Sequence, residues 1–150
     1  MTFQETHVTV SLVSFTLITI YYVVSWLKMY LSEGLNSERI FTLWIVVIVA
    51  GIVLVIAGTI LTTIVQAILY AIKTQSDKTE RLVEDERDKL IGLKGNRIAY
   101  IAFSVGVFIA MLTFALGQPP LIMFSLIILF SLLAEIIENS MQLVYYRRGV

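Results

Sequence analysis

Glu135, Glu138, Asn139 and Gln142 fall at i, i+3, i+4 and i+7, which is one face of a helix. They break into a run that is otherwise almost wholly apolar. Carboxylates in such surroundings take up a proton or a cation, or are neutralised by a basic side chain level with them. A second acidic group, Glu84, Asp85 and Asp88, fits within little more than one helical turn. Three readings of it stand open: a solvated helix with internal salt bridges, a docking surface for a cytoplasmic protein or sister subunit, and a divalent-cation site. Three carboxylates on a turn can hold a hard cation. Arg87 and Lys89 oppose that charge, and no glycine-bearing loop of the EF-hand kind accompanies it.

Other chemistry is constrained by what the chain lacks. There is no cysteine, and the one histidine is His7. Thiol catalysis, disulfides and thiolate metal sites are excluded, and paired histidines for haem or zinc cannot form within one chain. No nucleophile–base pair is apparent. We therefore expect no enzyme, no cofactor and no bound metal. Lys and Arg number 11 and so do Asp and Glu, which gives no electrostatic case for a nucleic-acid partner.

The elements that must position these residues are apolar stretches at 8–27, 40–72, 98–116 and 121–146. The first three contain no charged residue. About 20 apolar residues suffice to cross a hydrocarbon core of roughly 30 Å. The expected fold class is an all-α integral membrane protein, with four transmembrane helices arranged as two antiparallel hairpins. Residues 1–150 form one such domain, with a charged cytoplasmic segment at 73–97. The N-terminus lacks the basic residues and cleavage site of a signal peptide, so the first stretch should stay in the mature chain.

Charge sets the expected orientation. Lys28 and Arg39 flank the first connection, and 117–120 holds no basic residue. The other nine of the 11 basic residues lie in 73–97 and at Arg147 and Arg148. The positive-inside rule puts both termini and the charged segment in the cytoplasm.

Local signals punctuate the helices. Tyr21, Tyr22, Trp26, Lys28 and Tyr30 suit a membrane–water interface. Gly34 and Asn36 mark a turn, and Ser37 is the expected N-cap of the second helix. Gly117-Gln118-Pro119-Pro120 reads as a tight turn, with proline where a helix start tolerates it. Small residues mark close helix packing: Gly51 and Gly58 on the second helix, and Ala102, Gly106 and Ala110 on the third. This last stripe could serve a partner helix within the chain or in a second copy.

Folding the last two helices back at 118–119 puts Arg97 level with residue 140 and Tyr100 level with residue 137. Arg97 is then expected to reach Glu138 or Asn139, and Tyr100 to reach Glu138 or Glu135. Such a guanidinium–carboxylate pair would lock the hairpin. Counted from Leu121, Glu135 lies about 21 Å deep, with no basic residue at its depth. That makes it the better candidate for exchanging a proton or cation.

The segment 74–97 reads TQSDKTERLVEDERDKLIGLKGNR. It is expected to extend the second helix or lie on the membrane surface. Its run Glu84-Asp85-Glu86-Arg87-Asp88, followed by Ile91, Lys94, Arg97 and Tyr100, resembles a family of small prokaryotic four-helix membrane proteins. Those are known only as a domain of unknown function with an acidic-Glu-Arg-acidic segment between hairpins. The resemblance spans about 20 residues plus the layout. It implies a prokaryotic cytoplasmic (inner) membrane and brings no activity.

Two functions fit these features. The first is a non-enzymatic membrane protein acting by association, its charged cytoplasmic segment docking or sensing a cytoplasmic protein. The alternative is an oligomeric channel or a proton- or cation-coupled small transporter using Glu135 and Glu138, with Thr59, Thr62, Thr63 and Gln66 as further polar lining. A homo-oligomer in the lipid bilayer is expected in either case.

Overall fold

The computed structural model describes residues 3–32, 34, 36–73 and 86–148. They form four helices: α1 (Phe3–Ser32), α2 (Ser37–Lys73), α3 (Glu86–Ala115) and α4 (Pro120–Arg148). All four are long and apolar enough to cross a membrane. The charged residues 86–97 belong to α3, rather than extending α2 or forming a separate surface helix. Alternating Glu, Arg, Asp and Lys among leucines suits an α-helix, and nothing in 86–97 breaks it except two tolerated glycines.

The helix ends follow their local chemistry. Asn36, not the expected Ser37, caps α2: its Oδ1 accepts the Glu38 N–H at 3.0 Å, and its carbonyl accepts from Ile40 at 3.1 Å. At the other turn Gly117 adopts φ +88°. Its N–H donates to Phe114 and that of Gln118 to Thr113, the paired bonds of a Schellman motif. Pro120 then opens α4, where its missing N–H costs nothing.

Helix α4 is the hub. It packs on α3 over its length, on α1, and more sparsely on α2, while α1 also packs on α2. Seven-residue spacing makes the α1 stripe: Val8, Phe15 and Tyr22 are buried, and Met29 continues the line. Phe15 and Tyr22 meet Ile40, Leu43, Trp44 and Val47 of α2 and Leu132 of α4 in the main core. Tyr22 is therefore a core residue and not part of an interfacial belt. Its hydroxyl donates to the Ser125 carbonyl at 2.8 Å, tying α1 to α4.

The α3–α4 seam is built on small residues. Gly106 and Ala110 are buried and Ala102 half-buried. A methyl group at Gly106 would overlap the Phe130 ring, so this glycine is what admits the ring. At the far end Gly95 admits Gln142, whose Cγ would lie 2.7 Å from an added Cβ. The stripe is thus covered within the chain. Gly51 differs from the packing role expected of it: a Cβ there would meet nothing within 4 Å among the described residues. Among the described residues Gly58 would meet the Nε2 of His7, at 3.5 Å.

Candidate functional site

The acidic face of α4 opens onto a cavity of about 590 Å³ bounded by α1, α2 and α4. Helix α4 contributes Glu135, Glu138, Asn139 and Gln142. Helix α1 contributes Thr6, His7, Ser11 and Ser14 beside Val8, Val10 and Phe15. Helix α2 supplies an apolar wall that includes Leu54, Val55, Leu61 and Val65. Two polar faces therefore look into one space whose third side is aliphatic among the described residues. The sparse packing of α2 on α4 leaves that space unfilled.

The four polar residues of α4 are held differently. Asn139 is buried, and its Nδ2 donates to the Glu135 carbonyl at 2.7 Å. Gln142, seated against Gly95, donates from Nε2 to Glu138 Oε1 at 3.0 Å. A relay of contacts thus runs from the backbone of α3 to one carboxylate of the cavity. The Glu135 side chain is exposed, and its carboxylate has no hydrogen-bond or ion-pair partner among the described residues.

The expected lock from α3 is not made. Arg97 and Tyr100 are exposed, Tyr100 to 71%, and neither bonds to α4. The register that puts them level with the carboxylates agrees with the seating of Gly95 on Gln142 and Gly106 on Phe130. Their face does not. At about 100° per residue Arg97 points roughly opposite to Gly95, and Tyr100 about 140° away. The glycine and alanine side of α3 meets α4 because it allows the closer approach. The polar cluster expected from Arg97, Tyr100, Glu135, Glu138 and Asn139 therefore reduces to its α4 members. From α3, Lys94 reaches α4 elsewhere, lying 5.5 Å from the Tyr145 ring centroid.

Of the second acidic group, Glu84 and Asp85 lie outside the described residues. Asp88 stands half-buried in the first turn of α3. Among the described residues no group of three or more His, Asp or Glu could hold a metal ion. The side chains of Thr59, Thr62 and Gln66 also lie outside the described part, and Thr63 is exposed.

His7, Ser11 and Ser14 join the site only through the packing of α1. Their signal was present as i, i+4 and i+7 on the first helix, the same pattern that marked α4. A histidine so near the N-terminus looks detached until the helix is seen to begin at Phe3.

The chain matches no protein-family model, no curated protein and no solved structure.

Proposed function

We propose that this chain is a non-enzymatic integral membrane protein that binds and moves small cations, as a proton- or cation-coupled transporter acting in oligomeric form. In this reading the four helices span the bilayer as two antiparallel hairpins, with both termini cytoplasmic. The 84–100 segment, through its resemblance to small prokaryotic membrane proteins, suggests the cytoplasmic membrane of a prokaryote. Glu135 is the primary cation ligand and Glu138 its neighbour. His7, Ser11 and Ser14 face them from α1.

The observation that carries the reading is the cavity of about 590 Å³ in which two carboxylates and no described lysine or arginine line a largely apolar space. That volume falls within the range of ligand sites, with the polar groups converging from α1 and α4 on an apolar wall. An intramembrane carboxylate without a structural partner points to a proton or ion path. The association reading rests on Glu84, Asp85 and Asp88, the first two of which lie outside the described residues.

The test uses the purified protein in liposomes with a proton gradient and radiolabelled tetraethylammonium as probe. Glu135→Gln should abolish gradient-driven uptake while leaving helicity unchanged. Uptake at the wild-type rate in that variant refutes the proposal. Replacing Glu84, Asp85 and Asp88 together by Ser should leave uptake intact, whereas its loss would return weight to the docking segment.

A further inference from the structure

A second cavity, of about 440 Å³, adjoins the first and shares Phe15, Val55 and Glu135 with it. Its remaining lining comes from α2, including Val47, Ile48, Gly51 and Ile52, and from α4, including Ile127, Ile128 and Leu132. Among the described residues Glu135 is its one charged group and Ser131 its one other polar side chain. The two spaces together form a groove along the α2–α4 crevice, floored by Phe15. It is polar at one end and aliphatic at the other, with Glu135 at the junction.

The groove opens sideways. Ile48, Ile52, Val55 and Ile56 line it and are each about half exposed, so its α2 wall is also part of the outer surface of the chain. Gly51 keeps the wall low, since a Cβ there would touch nothing within 4 Å. In a bilayer an occupant would enter laterally, from among the lipid chains.

Resting on the cation-binding reading above, we propose that the occupant is a single-chain cationic amphiphile, an alkylammonium compound. Its ammonium lies at Glu135 and Glu138, and its alkyl chain lies along the second cavity toward Ile127. Three features select it. The charge at the polar end is negative, with no described lysine or arginine lining either space. The aliphatic end offers a chain nothing to hydrogen-bond except Ser131. From Glu135 to Ile127 the rise along α4 is about 12 Å, the reach of a medium-length alkyl chain. A phospholipid fits less well, because its phosphate would meet the same two carboxylates.

The experiment uses the full chain in nanodiscs of zwitterionic lipid. The probe is dodecyltrimethylammonium bearing a diazirine at the tail end, and sites of photolabelling are read by peptide mass spectrometry. Labels are expected on α2 within 47–56 and on α4 within 127–132, at least tenfold above those at the lipid-facing Val105 and Phe108 of α3. Glu135→Gln should remove this excess. Gly51→Leu, which fills the aliphatic end without touching the carboxylates, should remove it too while leaving binding of tetraethylammonium unchanged.

Labelling spread evenly over all apolar surfaces overturns the proposal, as does equal labelling by the matching dodecyl carboxylate. Dissociation of an oligomer by Gly51→Leu, with no groove labelling in the parent, would assign the groove to a second copy instead. If tetraethylammonium binds in a Glu135-dependent way and the tail probe ignores the groove, this inference fails and the cation site stands. If neither probe depends on Glu135, both fail.

Discussion

A glycine-to-alanine series tests how the α3–α4 seam is held together, because the same added methyl meets four different surroundings. At Gly106 it overlaps the Phe130 ring near its root, where the side chain cannot swing clear. At Gly95 it comes to 2.7 Å from Cγ and 3.0 Å from Nε2 of Gln142, a half-buried and flexible side chain that can shift. At Gly58 it lies at ordinary distance from His7, and at Gly51 it touches nothing. Alanine is the better helix former by about 0.8–1.0 kcal/mol. Forcing a methyl into filled space costs about 1–3 kcal/mol. Overlap at the root of the ring puts the cost in the upper half of that range, so the net expectation for Gly106→Ala is a loss of about 1–2 kcal/mol, or roughly 5- to 30-fold in the folded-to-unfolded ratio. Gly95→Ala should come out near zero, and Gly51→Ala should be neutral or slightly stabilising. The assay is loss of helicity on titrating dodecyl sulfate into mixed micelles. Phe130→Ala should remove most of the Gly106→Ala penalty, a coupling of about 1–2 kcal/mol between touching residues. Gly106→Ala as stable as Gly51→Ala, or a Phe130→Ala background that leaves the penalty unchanged, refutes the close-packed seam.

Three further outcomes are expected in the same assay. Tyr22→Phe removes the hydroxyl that reaches Ser125 of α4 and should cost about 0.5–1.5 kcal/mol, with Phe15→Tyr giving no compensation. Asn36→Ala removes the cap of α2 and should cost about 1 kcal/mol, whereas Ser37→Ala should change stability by less than half as much. Arg97→Gln and Tyr100→Phe, at exposed positions without bonds to α4, should each fall within about 0.5 kcal/mol of the parent. A loss of 2 kcal/mol or more at Arg97 would revive the guanidinium–carboxylate lock.

Much of the scaffold is readable from local features. Gly117 and Pro120 announce the turn between α3 and α4, because a left-handed residue and a missing N–H have few other uses at such spacing. The acidic face of α4 is equally plain, since 135, 138, 139 and 142 fix a direction on any helix. The cap of α2 is less so: Asn36 and Ser37 are both good caps, and only the first bond of the helix chooses between them. Residues 86–97 read from their charge as an extension of α2 or a surface segment, yet they run into α3, because charge does not prevent a helix from starting well before its apolar part.

What the sequence by itself determines here is the number and polarity of the apolar helices and the turn that joins α3 to α4. Apolar run length and turn chemistry act through neighbours along the chain, so no distant contact is needed to read them. What only the tertiary structure decides is which faces meet. Helix α3 turns its glycines and alanine toward α4 because close approach outweighs one exposed ion pair, and Arg97 and Tyr100 are carried outward as a result. Helix α1 packs its seven-residue stripe on α2 and α4, and that rotation brings His7, Ser11 and Ser14 to the same cavity as Glu135 and Glu138. Such meetings join residues more than a hundred positions apart, and they depend on how whole surfaces fit, which no short pattern encodes.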